Sequence, residues 1–176
     1  GRLGPTPVIF VDESALAAYG TSTHIALQRH ELIEAMTAVV TAIKAAGGLP
    51  GAHSCSGMEW PMLFESGYKI LSFDAYNYFT SLQVFAPEVA TFLEQGGILA
   101  WGIVPTSDQA RLETAAGLAK NLKKKIEELR RRGVKEERLH RQAWVTPACG
   151  TGVLTEELAG NIYRLSSQVS YLLNPA

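Results

Sequence analysis

Three side chains of this 176-residue chain have the chemistry of metal ligands: His53, Cys55 and Cys149. In an extended segment, residues two apart point to the same side, so His53 and Cys55 can reach one ion together. An imidazole with two thiolates is a ligand set that Zn2+ prefers, whereas Mg2+ and Ca2+ prefer oxygen ligands. The spacing is not that of a zinc finger, and buried, unreactive cysteines remain an alternative. A long-range disulfide between the two cysteines is another.

The elements that must position these residues form a repeat of short apolar strand and amphipathic helix, which occurs five times. Each strand is a nearly continuous apolar run, as in parallel sheets with helices packed against them. The pattern predicts an α/β protein that forms a single domain over residues 1–176. The predicted strands cover residues 7–12, 49–53, 68–73, 97–103 and 142–146.

Three helices are predicted from apolar residues at helical spacing. The glycines at 47 and 48 end the first helix. The second carries a charged outer face, in which Glu127 with Arg131 and Glu128 with Arg132 are expected to pair one turn apart. The three apolar stripes are Leu32, Met36, Val39, Val40 and Ile43; Leu118, Leu122, Ile126 and Leu129; and Leu154, Leu158, Ile162, Leu165 and Val169.

Carboxylates also occur where predicted strands end. Asp12 and Glu13 follow the first strand, and Asp74 follows the third. The carboxyl ends of parallel strands meet at one edge of a sheet, where α/β folds bind their ligands. These carboxylates are therefore expected on the same rim as the imidazole and the thiols. For Asp74 the alternative is a carboxylate that caps the following helix.

Two architectures fit five strand-helix units: an open doubly wound sheet and part of a (β/α)8 barrel. No glycine-rich phosphate loop follows the first strand, where the sequence has Asp12-Glu13-Ser14-Ala15, so no dinucleotide site is indicated. A complete barrel takes about 250 residues. With 176 residues, this chain would be a TIM barrel that lacks its first three strands.

Composition excludes several classes of function. The formal net charge is -1, with 47% hydrophobic and 19% charged residues. This balance lacks the basic surface that nucleic acids require, and no apolar run is long enough to span a membrane. We recognise no signal peptide in the first residues, which predicts a cytoplasmic, reducing environment. The composition therefore favours a domain that binds a small molecule.

Four stretches, VIFVDESAL, GAHSCSG, ILSFDAY and WVTPACGTGVLTEELAGNIYRLS, give the chain a family resemblance. The chain resembles the catalytic domain of cobalamin-independent methionine synthase. The wider superfamily includes uroporphyrinogen decarboxylase and zinc-dependent corrinoid methyltransferases. The resemblance follows the same order over nearly the whole chain, and H-x-C followed much later by P-x-C-G is its most specific part. It implies a (β/α)8 barrel of which this chain is the C-terminal five strands.

The resemblance also implies roles for individual residues. The zinc ligands of the family would fall on His53, Cys55 and Cys149, and the additional glutamate ligand of the methionine synthases would fall on Asp74, which is one methylene shorter. The D-E-P-A motif of the family, whose aspartate holds the amino group of the substrate, appears with serine in place of proline. Asp12, and less directly Glu13, would then bind that amino group.

The activity that the resemblance implies is zinc-dependent methyl transfer to a thiol. Homocysteine is the expected acceptor, giving methionine, ahead of another small thiol such as coenzyme M. The expected donor is methylcobalamin, free or on a corrinoid protein, slightly ahead of a methyl-folate, because the N-terminal domain of the folate-dependent enzymes is absent here. The alternatives are a metal-free, decarboxylase-like member of the superfamily and a catalytically incomplete barrel fragment.

Five barrel strands would leave two unpaired edges and an open apolar interior. Such surfaces require a cover. We therefore expect either self-association of the chain or a missing N-terminal barrel segment.

Overall fold

The computed structural model describes residues 6–12 and 28–173, and it contains one five-stranded sheet. All five strands are parallel, as the sequence predicts. Their ends lie within two residues of the predicted ends. The strands are β1 (Val8–Asp12), β2 (Leu49–Ser54), β3 (Ile70–Phe73), β4 (Ile98–Val104) and β5 (Ala143–Pro147).

The strand order in the sheet is β1-β2-β3-β4-β5, so each strand pairs with the next strand along the chain. A doubly wound sheet has a different order, because its chain reverses direction across the sheet at a switch point. The described strands contain no such reversal. Of the two architectures that the sequence left open, the sequential order excludes the doubly wound one for this part of the chain.

The helices include the three that the sequence predicts, with two differences. Val39 is 43% exposed, whereas Met36 and Val40 are the residues that α1 buries. Leu154 lies before α7 rather than in it. Glu127 pairs with Arg131 as expected. The helices are α1 (Arg29–Ala45), α2 (Pro61–Glu65), α3 (Phe79–Gln83), α4 (Ala86–Glu94), α5 (Ala115–Arg131), α6 (Glu136–Arg141) and α7 (Glu156–Leu173), with a 3-10 turn at Asp108–Arg111.

All seven helices of the described ranges pack on one face of the sheet. Each contributes at least one buried apolar side chain to a single core cluster. Alternate residues of a strand point to opposite faces. On β3 and β4 this cluster contains the alternating residues Leu71, Phe73, Leu99, Trp101 and Ile103, which define the helix-covered face, and also Val104 at the irregular end of β4. None of the described helices has a length and apolar content that would allow it to cross a membrane.

The opposite face carries the strand residues that alternate with the core. One row across this face consists of Asp12, His53, Ser72 and Ala100, which are register partners on β1 to β4. Phe10, two residues before Asp12, is 44% exposed, and Trp144 on β5 is 41% exposed. We call this surface the helix-free face, because no helix of the described ranges packs on it.

The core predicts a clear contrast between two leucines. Leu129 of α5 has no exposed surface, whereas Leu112 is 77% exposed. Replacement Leu129→Ala leaves a cavity and should lower the free energy of unfolding by about 2–5 kcal/mol. The matched change Leu112→Ala should alter it by less than about 0.5 kcal/mol. Urea denaturation measures both values, and equal losses would contradict the packing described above.

Candidate metal centre

Three potential ligand atoms converge at the carboxyl end of the sheet. His53 lies in β2, Cys55 follows the last residue of β2, and Cys149 lies two residues after β5. The Nε2 of His53 is 3.2 Å from the Sγ of Cys55, which in turn is 2.8 Å from the Sγ of Cys149. All three ligand atoms lie within 4.8 Å of one another. This cluster can hold a metal ion.

The convergence requires a strongly curved sheet edge. Strands β2 and β5 are separated by β3 and β4, which corresponds to about 14 Å across a flat sheet. The thiols of Cys55 and Cys149 are nevertheless 2.8 Å apart. Curvature toward the helix-free face, together with the turns that follow the two strands, therefore brings together residues that are 94 positions apart in sequence.

Ser72 fixes the orientation of the His53 ring. Its Oγ lies 2.9 Å from the Nδ1 of His53, its register partner on the neighbouring strand. When Nδ1 carries the proton, it donates to this hydroxyl and leaves the Nε2 lone pair directed at the two thiols. Burial lowers the pKa of His53, and the charges of Asp12 and Asp74 only partly oppose this effect. The ring is therefore neutral near pH 7, which is the form that binds metals.

The Cys55 thiol is held as a neutral group when no cation is near it. Loss of hydration and the hydrogen bond with Cys149 raise the pKa of Cys55 to about 12, and the neighbouring charges of Cys149, Asp12 and Asp74 add to the effect. A bound cation has the opposite effect, because it stabilises the thiolate. Both cysteines are free thiols.

The structure does not bring Asp74 into the cluster. Its two carboxylate oxygens accept hydrogen bonds from the backbone N and the Nδ2 of Asn77, both at 2.8 Å. Asp74 is only 6% exposed. Asp74 thus holds the turn before α3 and does not cap that helix, whose N-cap is Tyr78 without a side-chain cap. The role of fourth ligand stays a prediction.

Of the two carboxylates predicted at the end of the first strand, the structure describes Asp12 but not Glu13. Asp12 is exposed and is the register partner of His53, so it lies beside the cluster. Glu13 lies outside the described residues, as do Ser14 and Ala15 of the same motif.

Close backbone packing around Gly102 positions the turn that carries Cys149. A Cβ on Gly102 would lie 2.5 Å from the carbonyl oxygen of Phe73 and 2.7 Å from the Cα of Ala148, so this contact requires a glycine. The backbone N of Ala148 donates to the carbonyl of Val104 at 2.8 Å and ties the turn to β4. Cys149 is the next residue along the chain.

Side-chain hydrogen bonds hold the segment that follows Cys55. The Ser54 hydroxyl donates to the carbonyl of Ser56 at 3.2 Å, and the indole of Trp60 donates to Ser81 at 3.1 Å. Arg29 at the start of α1 donates to Glu59 at 2.8 Å and also pairs with Glu65. The segment between Cys55 and Trp60 is thus held at both of its ends.

Ser72 and Gly102 were not among the residues predicted from sequence to form the site. Each has a weak signal, since each interrupts an apolar strand: serine in YKILSF and glycine in ILAWGIV. A glycine inside a strand often marks close backbone approach, and a polar residue inside an apolar strand requires a partner. These signals indicate that the residue at each position has a structural role, but they do not identify the residue that it contacts.

No protein-family model matches this chain, and no curated protein matches it significantly. The inference that the cluster can hold a metal ion therefore depends on its geometry alone.

The hydrogen bond to His53 predicts a role for Ser72 in metal affinity. Replacement Ser72→Ala removes the acceptor for Nδ1 and should weaken Zn2+ binding by about 10–100-fold. Ser166→Ala is a matched control, because Ser166 is equally buried but donates to Ile162 in α7. Competition with a chromophoric chelator measures the affinities. Equal affinity in the two variants would show that Ser72 does not orient the ring.

The close contact at Gly102 predicts that a methyl group added at this position destabilises the protein. Replacement Gly102→Ala should lower the free energy of unfolding by about 1–3 kcal/mol and weaken Zn2+ binding, because the turn before Cys149 must move. In the control Gly150→Ala, the added Cβ has no atom within 4 Å, so the change should be below about 0.5 kcal/mol. Denaturation and chelator competition test this contrast, and identical behaviour of the two variants would refute it.

Proposed function

We propose that this chain is the C-terminal part of a (β/α)8 barrel that binds Zn2+ and transfers a methyl group to a thiol, with homocysteine as the acceptor. The observation that carries the proposal is the convergence of the His53 imidazole and the Cys55 and Cys149 thiols within 4.8 Å. It occurs at the carboxyl ends of parallel strands, which is where barrel enzymes have their active sites.

Three features support the barrel. The strand order is sequential, the seven helices that the structure describes pack on one face, and the sheet edge curves enough to join the ends of β2 and β5. In addition, Ile70 and Ala100 on the helix-free face have no exposed surface. Burial without a helix above it is expected on the concave side of a curved sheet. The missing strands would complete the closure.

The donor set fits zinc. Catalytic zinc sites combine three protein ligands with a position for substrate or water, and one imidazole with two thiolates is such a set. Thiolates disfavour Mg2+ and Ca2+. His53, Cys55 and Cys149 would hold the ion, and the hydroxyl of Ser72 supplies the partner that a metal-binding histidine needs on its second nitrogen.

A bound Zn2+ would lower the pKa of a substrate thiol and hold it as a thiolate near neutral pH. The two cysteine thiolates limit the net positive charge at the centre, so an incoming sulfur stays electron-rich. The substrate thiolate would attack the methyl carbon in line with the donor. The new S–C bond would form as the bond between methyl and donor breaks, and the electron pair of that bond would leave with the donor. We assign to Asp12 the binding of the homocysteine ammonium group, which its exposed position beside His53 supports. Glu13 is proposed for the same contact.

The donor that we propose is methylcobalamin, free or on a corrinoid protein, with a methyl-folate as the second candidate. The order follows from the sequence resemblance, in which the folate-dependent enzymes have a further domain.

We also propose that the helix-free face is covered in the active state. Phe10 and Trp144 expose large apolar side chains there, and β1 and β5 are the two edges of the described sheet. The cover is either a second copy of the chain or an N-terminal barrel segment.

Metal content tests the proposal first. Protein purified without chelator or affinity-tag metal should contain about one zinc per chain, and Cys149→Ser should lose it. Val153→Ser is the control, because Val153 is 96% exposed and lies close to Cys149 in sequence. The zinc-loaded chain should then transfer a labelled methyl group to homocysteine from methylcobalamin or methyl-folate.

Each other result points to a different alternative. Absence of zinc, before and after addition of the ion, would refute the proposal in favour of a metal-free, decarboxylase-like protein. Zinc binding without methyl transfer from either donor would refute the activity and indicate an incomplete barrel fragment.

A further inference from the structure

We propose that Cys55 and Cys149 form a reversible disulfide when the centre holds no metal, so that oxidation and metal loading exclude each other. The coupling to the metal depends on the proposed zinc site, whereas formation of the disulfide does not. The inference starts from the 2.8 Å separation of the two sulfur atoms.

This separation lies between those of two chemical states. A disulfide has its sulfurs about 2.05 Å apart. Two thiolates on one tetrahedral zinc lie about 3.8 Å apart, given Zn–S bonds of about 2.3 Å. A shift of about 1 Å in either direction therefore converts the thiol pair into a disulfide or into two ligands. The same two sulfurs cannot serve in both states.

The surroundings favour pairing of these two thiols over other oxidation products. Cys55 is exposed and Cys149 is partly exposed, so a small oxidant can reach them. The sequence contains no third cysteine that could compete. Cys149 is held near Cys55 by the backbone contact between Ala148 and Gly102, so the partner is already in place when the first sulfur is oxidised.

Hydrogen peroxide is the oxidant that we specify. One thiol loses its proton and attacks a peroxide oxygen as the thiolate. The O–O bond breaks, a sulfenic acid forms, and the released hydroxide takes up the proton to give one water. The second sulfur attacks the sulfenic sulfur, the S–O bond breaks, and a second water leaves. The two thiols lose two electrons and two protons in total, and one peroxide is reduced to two waters. A dithiol reductant reverses the change.

The disulfide would also act on the histidine side of the centre. With both sulfurs consumed, only the His53 Nε2 of the cluster remains as a ligand, and a single imidazole does not retain zinc against cellular competitors. Oxidation would thus release the metal and stop the proposed methyl transfer until the thiols are restored.

Intact-protein mass spectrometry tests the inference. The metal-free chain, freed of reductant and treated with about one equivalent of peroxide, should become about 2 Da lighter and lose both alkylatable thiols. Peptide mapping should show a link between Cys55 and Cys149, and dithiothreitol should restore the original mass. Loading with Zn2+ beforehand should slow the change at least about tenfold.

Two variants separate the disulfide from the metal site. Cys149→Ser should gain oxygen on Cys55 and never become lighter. His53→Ala keeps both thiols, so it should still form the disulfide, but Zn2+ should protect it much less than it protects the wild-type chain.

The outcomes are distinguishable. Oxygen addition at both cysteines of the wild-type chain, or a link between two chains, would overturn the inference while leaving zinc binding intact. A disulfide that forms equally fast with and without Zn2+ would confirm the pairing, refute its coupling to the metal and count against the proposed zinc site.

Discussion

The meeting of two strand ends across two intervening strands is the constraint on which this site depends. Cys55 follows β2 and Cys149 follows β5, and a flat sheet would keep them far apart. The helix-free face must therefore be concave, and on the two middle strands its residues near the carboxyl edge are small. Ser72, Ala100 and Gly102 occupy the two middle strands at this level, where larger side chains would fill the space into which the sheet curves.

The helix-covered face supplies the rigidity that this curvature needs. Trp101 packs on Phe73 and Phe79, with ring centroids 5.3 and 6.1 Å apart, directly behind the strands that separate the two cysteines. His53 and Ser72 lie within strands, and Cys55 and Cys149 lie one and two residues beyond theirs. A site built on strands and their immediate ends is positioned more accurately than one built on long loops.

The sequence predicts those features that depend on local patterns. Continuous apolar runs located all five strands, and helical spacing located α1, α5 and most of α7, because burial on one face imposes a period that extends over many residues. Helices α2, α3, α4 and α6 were missed. Three of them have only five or six residues, which are too few to show a period, and the nine residues of α4 span little more than two turns. The convergence of the His53, Cys55 and Cys149 side chains was predicted from their residue types and from their positions at strand ends. The contacts of Asp74 with Asn77, of Ser72 with His53 and of Gly102 with Ala148 were not, because each depends on geometry that the order of residues does not encode.

The distance in sequence between the two halves of the cluster has a consequence for biosynthesis. A ribosome adds about 5–20 residues per second, so Cys149 is made roughly 5–19 s after Cys55, which precedes it by 94 positions. During this interval the nascent chain carries an imidazole and one thiol that have no partner sulfur. A metal ion or a thiol reagent that reaches the nascent chain in this interval would meet an incomplete centre, and the complete one arises only when the last strand joins the sheet.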